Sequence, residues 1–331
     1  MTGALLVDKP AGPTSHDVVA FARRLLETSR IGHTGTLDPL ATGLLVLLAG
    51  AATRLSRFLV ADEKEYIADV RLGIATPTYD AQSLPDAGES GRPNLPSVLE
   101  IERALDRFRG TFPQVPPPYS AKKIDGIRAY EKARRNEGVR LAAVDVTVRE
   151  LEWLDAPRSG LEPPAPSLLV LRVVASAGFY VRSLAHDLGQ ALGCGAHLEA
   201  LRRTRVGRFR IEEAAGLDQL QADPDPAARL IPVNALLAHL PTVRLTEEGL
   251  RRAVHGNALG PGHLEKGGCP LFRESGVGFP EESGTFAPNG GGLDPEKGTA
   301  TFFGVLDAAG TPIAVAERRP DGLLHPLVVL G

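Results

Sequence analysis

The sequence predicts an α+β protein: a mixed, largely antiparallel sheet flanked by helices, then a small β-rich domain at the C-terminus. Three patterns carry this reading. Residues 44–48, Leu-Leu-Val-Leu-Leu, form an unbroken apolar run of strand length, as in a strand buried on both faces. Lys64 to Leu72 alternates, with Tyr66, Ala68, Val70 and Leu72 on one face. Leu184, Leu188 and Leu192 recur every four residues, the spacing of a helix face. Strands and helices interleave without strict βαβ units, which favours a mixed sheet.

In chain order, residues 4–7 read as a short buried strand closed by the turn Asp8-Lys9-Pro10. Ser15 is the expected N-cap of a helix with Asp17 in its first turn and an apolar stripe of Val18, Ala22, Leu25 and Leu26. Residues 51–59 read as a short helix, and 85–96, rich in Gly, Ser and Pro, as a loop. Ser97 caps a helix reaching about Phe108, and residues 127–136 read as a basic helix. Segments 142–154 and 168–176 are strand-like, and Gly193 and Gly195 stop the helix that begins near Ser183. A boundary is expected near Leu240, giving domains of residues 1–240 and 241–331. Residues 260–298 carry too little apolar surface to offset chain entropy and are expected to be a flexible insertion.

Composition bounds the function. With 331 residues, 43% hydrophobic and 23% charged, the chain has the composition of a globular protein. The N-terminal apolar run is too short for a signal peptide, and no apolar stretch approaches a membrane span, so the expected location is cytoplasmic, away from membranes. Cys194 and Cys269 make neither a disulfide framework nor a metal-ligand spacing, so no metal is expected. A net charge of −3 argues against a uniformly basic coat. The basic residues are nevertheless clustered: Lys122, Lys123, Arg128, Lys132, Arg134 and Arg135, then Arg202, Arg203, Arg205, Arg208 and Arg210. Such clusters steer polyanions to one face.

The most distinctive stretch is Gly32-His33-Thr34-Gly35-Thr36-Leu37-Asp38-Pro39-Leu40-Ala41-Thr42-Gly43. Pro39 pushes Asp38 toward an extended conformation and presents its carboxylate. Alone, an Asp before Pro reads as a structural turn.

Taken with Leu6-Val7-Asp8-Lys9-Pro10, Lys64-Glu65-Tyr66, Tyr119-Ser120-Ala121-Lys122-Lys123, Gly178-Phe179-Tyr180-Val181-Arg182 and Gly193-Cys194-Gly195-Ala196-His197-Leu198 running into Leu201-Arg202-Arg203, that block resembles the TruB family of tRNA pseudouridine synthases. The order and spacing fit over most of residues 1–240. The resemblance implies the pseudouridine synthase fold, a PUA-like RNA-binding domain at the C-terminus, and isomerisation of uridine 55 in the tRNA T-loop without a cofactor or an obligate protein partner. Because the target is stacked in a folded loop, it must be flipped out.

By the same resemblance Asp38 is the catalytic carboxylate and Tyr66 the aromatic face for the base. Arg182 pairs with the carboxylate and is expected to lower its pKa. Tyr180 and Leu201 line the pocket, and His33 assists flipping. Lys9 and Asp80 match further motif positions assigned to substrate binding. Residues 119–140 match a mobile thumb, so Lys122, Lys123, Arg128 and Lys132, with Arg202 and Arg203, are expected at RNA phosphates. Pro77 departs from the family pattern, which has an acid there. Two other readings compete: a non-catalytic tRNA-binding or folding module on the same scaffold, and a guide-RNA-dependent synthase. The joint presence of Asp38, Tyr66 and Arg182 weighs against the first, since a binding protein gains nothing from a carboxylate facing a polyanion.

Overall fold

The computed structural model describes residues 1–60, 63–83, 95–120, 122–124, 127–129, 132, 135, 141–154, 167–265, 293–294, 299–300 and 302–330. The loop expected at 85–96, apart from its last two residues, and most of the expected insertion at 260–298 lie outside them.

The apolar runs build one large sheet. Its strands are β1 (Gly3–Lys9), β2 (Ile31–His33), β3 (Thr42–Ala49), β4 (Lys64–Leu72), β5 (Gly110–Gln114), β6 (Val144–Trp153), β7 (Leu168–Ala175), β8 (Ala196–Val206) and the short β9 (Ala215–Gly216). The spatial order is β9-β1-β3-β8-β4-β7-β6-β5, with β2 beside β3. Pairing is antiparallel except at β1/β9 and β3/β8. The predicted mixed, largely antiparallel sheet is therefore present. Alternation along β4 follows the pattern, with Tyr66, Ala68, Val70 and Leu72 all buried.

Helices α1 (Ser15–Leu25), α2 (Val98–Asp106) and α3 (Val181–Leu192) accompany the sheet. Leu184 and Leu188 are wholly buried in the same core as Ala68, Val70, Leu169 and Leu171; at about 1.5–3 kcal/mol for each buried Leu, such contacts fix α3 against the sheet. Gly193 ends α3 in a left-handed conformation, φ 66°. Thr14, not Ser15, is the N-cap of α1: its hydroxyl accepts from the Asp17 amide, and the Asp17 carboxylate accepts from the Thr14 amide. Ser15 turns inward instead, because its hydroxyl is needed to hold the segment before Asp38.

The expected helix over 127–136 begins differently. Ile127–Arg128 instead pairs with Lys123–Ile124 as two antiparallel strands. Beyond residue 240, Thr242–Arg244, Phe302–Leu306, Pro312–Arg318 and Leu324–Val329 form a separate four-stranded sheet. Its residues Val315, Val328 and Leu330 pack into the core formed by Leu6, Leu44, Val46 and Leu48 on one side of the large sheet. Residues 260–265, placed by sequence in the flexible insertion, belong to this unit: Leu264 is buried and bridges Leu245.

Candidate active site

Two strands and a helix end converge where β3 meets β8. Arg203 on β8 lies opposite Tyr66 on β4 and Gly43 on β3. Gly43 has φ 100°, and a Cβ there would sit 2.3 Å from the Arg203 carbonyl oxygen. Only glycine lets β3 approach β8 this closely. Around this crossing opens a pocket of about 250 Å³, lined by Asp38, Tyr66, Tyr180, Arg182, Leu201 and Phe179 among others.

The Asp38 loop is held from beneath. Ser15 Oγ accepts from the Leu37 amide at 2.8 Å and donates to the Leu37 carbonyl at 3.0 Å. The Gly12 amide donates to the Pro39 carbonyl at 2.8 Å, and the Ala41 amide to the Asp38 carbonyl at 3.0 Å. Lys9 is wholly buried, with Nζ donating to the carbonyls of Pro10 and Pro13, both at 2.8 Å, and more weakly to Pro39 at 3.5 Å. Loss of water lowers its pKa to about 8, against the raising pull of Asp38. Lys9 therefore supports the loop from below and does not face the pocket, contrary to its assignment to substrate.

Arg182, the second residue of α3, has a side chain only 7% exposed. Its Nε meets Asp38 Oδ2 at 2.9 Å. Nη1 donates to the Thr78 carbonyl at 3.2 Å and lies 3.5 Å from Asp80 Oδ2, and Nη2 donates to the Tyr119 carbonyl at 3.0 Å. All three nitrogens of the guanidinium thus have a partner, a geometry Lys cannot copy. Asp80, expected at substrate, is buried behind Arg182, its Oδ1 accepting from the Thr78 hydroxyl at 2.6 Å and the Gln82 amide at 3.0 Å.

The Asp38 carboxyl does not behave as expected. Loss of water pushes it above the ordinary carboxylate range; Arg182 opposes this, while the Asp80 charge reinforces it. The expected lowering by Arg182 is outweighed by the loss of water, with the nearby Asp80 charge adding to the rise. The Asp38 side chain remains 36% exposed, so its oxygens still reach the pocket.

The aromatic walls are fixed from behind. Gln114 brackets the backbone of Tyr180, donating to its carbonyl at 3.0 Å and accepting from its amide at 2.9 Å. Burial raises the Tyr180 phenol. Arg203 is buried, 2% exposed, and donates from Nε to the Leu44 carbonyl at 2.7 Å and from Nη2 to the Gly35 carbonyl at 3.0 Å. Expected at an RNA phosphate, it instead locks the pocket floor, because strand alternation turns it inward. Its neighbour Arg202 turns outward, paired with both oxygens of Asp8 at 2.8 and 3.1 Å.

His33 lies at the end of β2, outside the pocket lining, half-buried and edge-on to His16 with ring centroids 5.7 Å apart. Burial above all, with the Arg203 charge adding to it, lowers its pKa below the usual imidazole value, which favours the neutral ring at pH 7. Lys122 and Lys132 are half-buried, and the side chains of Lys123 and Arg128 lie outside the described residues. Sequence reasoning assigned no role to Gln114, Thr78, Lys64 or Phe179. Lys64 had a signal, since alternation puts it on the Tyr66 face; Gln114 and Thr78 had none, because both act through long-range contacts. Among the described residues no three His, Cys, Asp or Glu are placed to hold a metal, and no helix is long and apolar enough to cross a membrane.

Comparison with solved structures shows the fold first. A chain in the crystal structure of a Cbf5-Nop10-Gar1 complex superposes with TM-score 0.64 and 23% identity, covering 99% of this chain and 85% of that one. A chain in the structure of an H/ACA RNP bound to a substrate RNA containing 2′-deoxyuridine gives 0.63 and 23%, over 99% and 85%. The chain therefore shares the fold of these two chains, and its own pocket carries an Asp–Arg pair between aromatic walls. Residues 23–181 match the TruB family pseudouridylate synthase N-terminal domain, and 182–238 the tRNA pseudouridylate synthase B C-terminal domain. tRNA pseudouridine synthase B of Ralstonia nicotianae is 48% identical over 261 residues, 78% of this chain and 80% of that protein. The Thermobifida fusca protein of the same name is 46% identical, over 83% and 92%. The chain belongs to the TruB family.

Proposed function

We propose that this protein isomerises uridine 55 in the T-loop of tRNA to pseudouridine. The observation that carries the reading is the Asp38–Arg182 pair, 2.9 Å apart at a pocket walled by Tyr66 and Tyr180. The uridine leaves its stack and lies on Tyr66; stacking on an aromatic is worth about 1–3 kcal/mol per base and tolerates rotation. Asp38, ionised, acts on the ribose by attack at C1′ or by removal of the 2′-proton. The N1–C1′ bond breaks, the base turns, C5 bonds to C1′ as Asp38 leaves C1′ or returns the proton to C2′, and the C5 proton is lost as N1 gains one. The reaction is balanced without a cofactor. Neutral His33, beside the loop, fills the space the flipped base leaves. Residues 119–140 act as the thumb, with Lys122, Lys123, Arg128 and Lys132 at phosphates. The sheet beyond residue 240, which lies past both family matches, serves as a PUA-like RNA-binding domain. The setting is cytoplasmic, and no protein partner is required.

Incubation with a T-stem-loop transcript, followed by positional mapping of pseudouridine, tests this. Product at the T-loop uridine with no other component is expected. Product only when a guide RNA is added would favour the guide-dependent reading, and binding with no product would favour a folding module.

A further inference from the structure

Tyr79 has no role in the chemistry above, yet it occupies a position that an ordinary side chain avoids. Its φ is 64°, one of two positive values at non-glycine residues among those described. L-residues other than Asn and Asp enter this region only when their surroundings hold them there. Two devices hold Tyr79. Pro77 presets the turn that closes with the Tyr79 amide donating to the Thr76 carbonyl at 3.1 Å. The ring then stacks face to face on His186, with centroids 3.8 Å apart and planes 12° apart.

Tyr79 sits between Thr78 and Asp80, the two residues that contact Arg182 Nη1. His186 lies four residues after Arg182 on α3, one turn along the same face. The stack therefore ties the turn to the helix within one turn of the guanidinium both must position. The other side of the turn is sewn to β8, where the Leu198 amide donates to the Tyr79 carbonyl at 3.0 Å and the Ala81 amide to the Leu198 carbonyl at 3.0 Å. We propose that Tyr79, through its stack on His186, is a positioning residue that sets the Thr78 carbonyl and Asp80 carboxylate against Arg182, and thereby aims Asp38.

The inference rests on Asp38 acting as proposed, and wild-type turnover on the T-stem-loop is the control for that. An inactive wild type defeats the functional reading, whereas an active wild type with indifferent variants defeats only this inference. The variants are Tyr79→Phe, which keeps the ring, and Tyr79→Gly, which accepts the left-handed backbone without it. Tyr79→Phe should keep kcat within about twofold. Tyr79→Gly should lower kcat about tenfold or more with KM nearly unchanged, as misplaced reacting groups do. Its acid limb in kcat/KM should also move to higher pH. Asp38 feels Arg182 and Lys9 lowering its pKa and Asp80 raising it, and a loosened Arg182 shifts that balance upward. A Tyr79→Gly enzyme with wild-type kcat and acid limb overturns the proposal, as does Tyr79→Phe failing as badly as Tyr79→Gly. If Tyr79→Gly does not fold, His186→Leu removes the stack from the helix side and is read by the same outcomes.

Discussion

The pocket around Asp38 and the basic segment of residues 119–140 differ in how deeply their described cations are buried. Around the pocket Lys9, Arg182 and Arg203 are all buried, and their hydrogen bonds and ion pairs end on backbone carbonyls and carboxylates. Buried charges are tolerable only with such complete pairing. In the basic segment Lys122 and Lys132 are half-buried and Arg135 is exposed. A cluster of charge read from sequence thus covers two different devices. In the proposed reading one is a rigid frame that orients a reacting group, and the other a field that meets a polyanion.

That contrast is broken most directly at Asp38. Asp38→Asn should abolish pseudouridine formation while tRNA binding stays within a few-fold, measured by product mapping and filter binding. Normal turnover by this variant would refute the assigned chemistry. Because folding raises the Asp38 pKa, the folded state binds more protons than the unfolded one above about pH 4. Asp38 therefore lowers stability as pH rises from there through its folded pKa, and the Asn variant should melt no lower than wild type at pH 7.

Arg182→Lys comes next. One ammonium cannot span Asp38, Thr78, Asp80 and Tyr119, so kcat should fall about a hundredfold with little change in KM. A rise in KM alone would place Arg182 with the binding cations. Tyr66→Ala should lose activity far more than affinity, and equal losses would reduce Tyr66 to a binding surface. The pH profile of wild-type kcat/KM should show an acid limb above the 3.8 of an unperturbed Asp, since activity needs the ionised form and burial raises the pKa. The smallest effects belong to the basic segment. Replacing Lys122 and Lys132 together by Ala should weaken binding without changing kcat and reduce the slope of log K against log salt by about 1.4–1.8.

Much of this was legible in the chain. The strand pattern of residues 44–48 and 64–72 appears as read, because strand alternation is local and hydrophobic burial enforces it. Asp38, Tyr66, Tyr180, Arg182 and Leu201, from segments far apart in sequence, line one pocket. Lys9 and Arg203 were misplaced for one shared reason: a cation in a motif looks like an anion-binding group unless the carbonyls that satisfy it are known. The cap at Thr14 was missed because Ser15 is an equally good capper by type, and only its contact with Leu37 shows that it is used elsewhere. The basic composition of residues 127–136 favours a helix, and the pairing of Ile127–Arg128 with Lys123–Ile124 is a non-helical contact that composition does not encode.

The sequence by itself determined which residues could carry the chemistry, since residue type, spacing and strand period are written in the chain. It also determined the α+β class. What only the tertiary structure decided is which cations face inward, how Arg182 divides itself between Asp38 and Asp80, and that Asp38 is shifted up. Those properties depend on burial and on distances between residues over a hundred positions apart, as with Arg182 and Thr78. No local pattern encodes a distance of that kind. The loop around Asp38 is a motif in the sequence; it becomes a rigid mount only through Ser15, Lys9 and Arg203 beneath it.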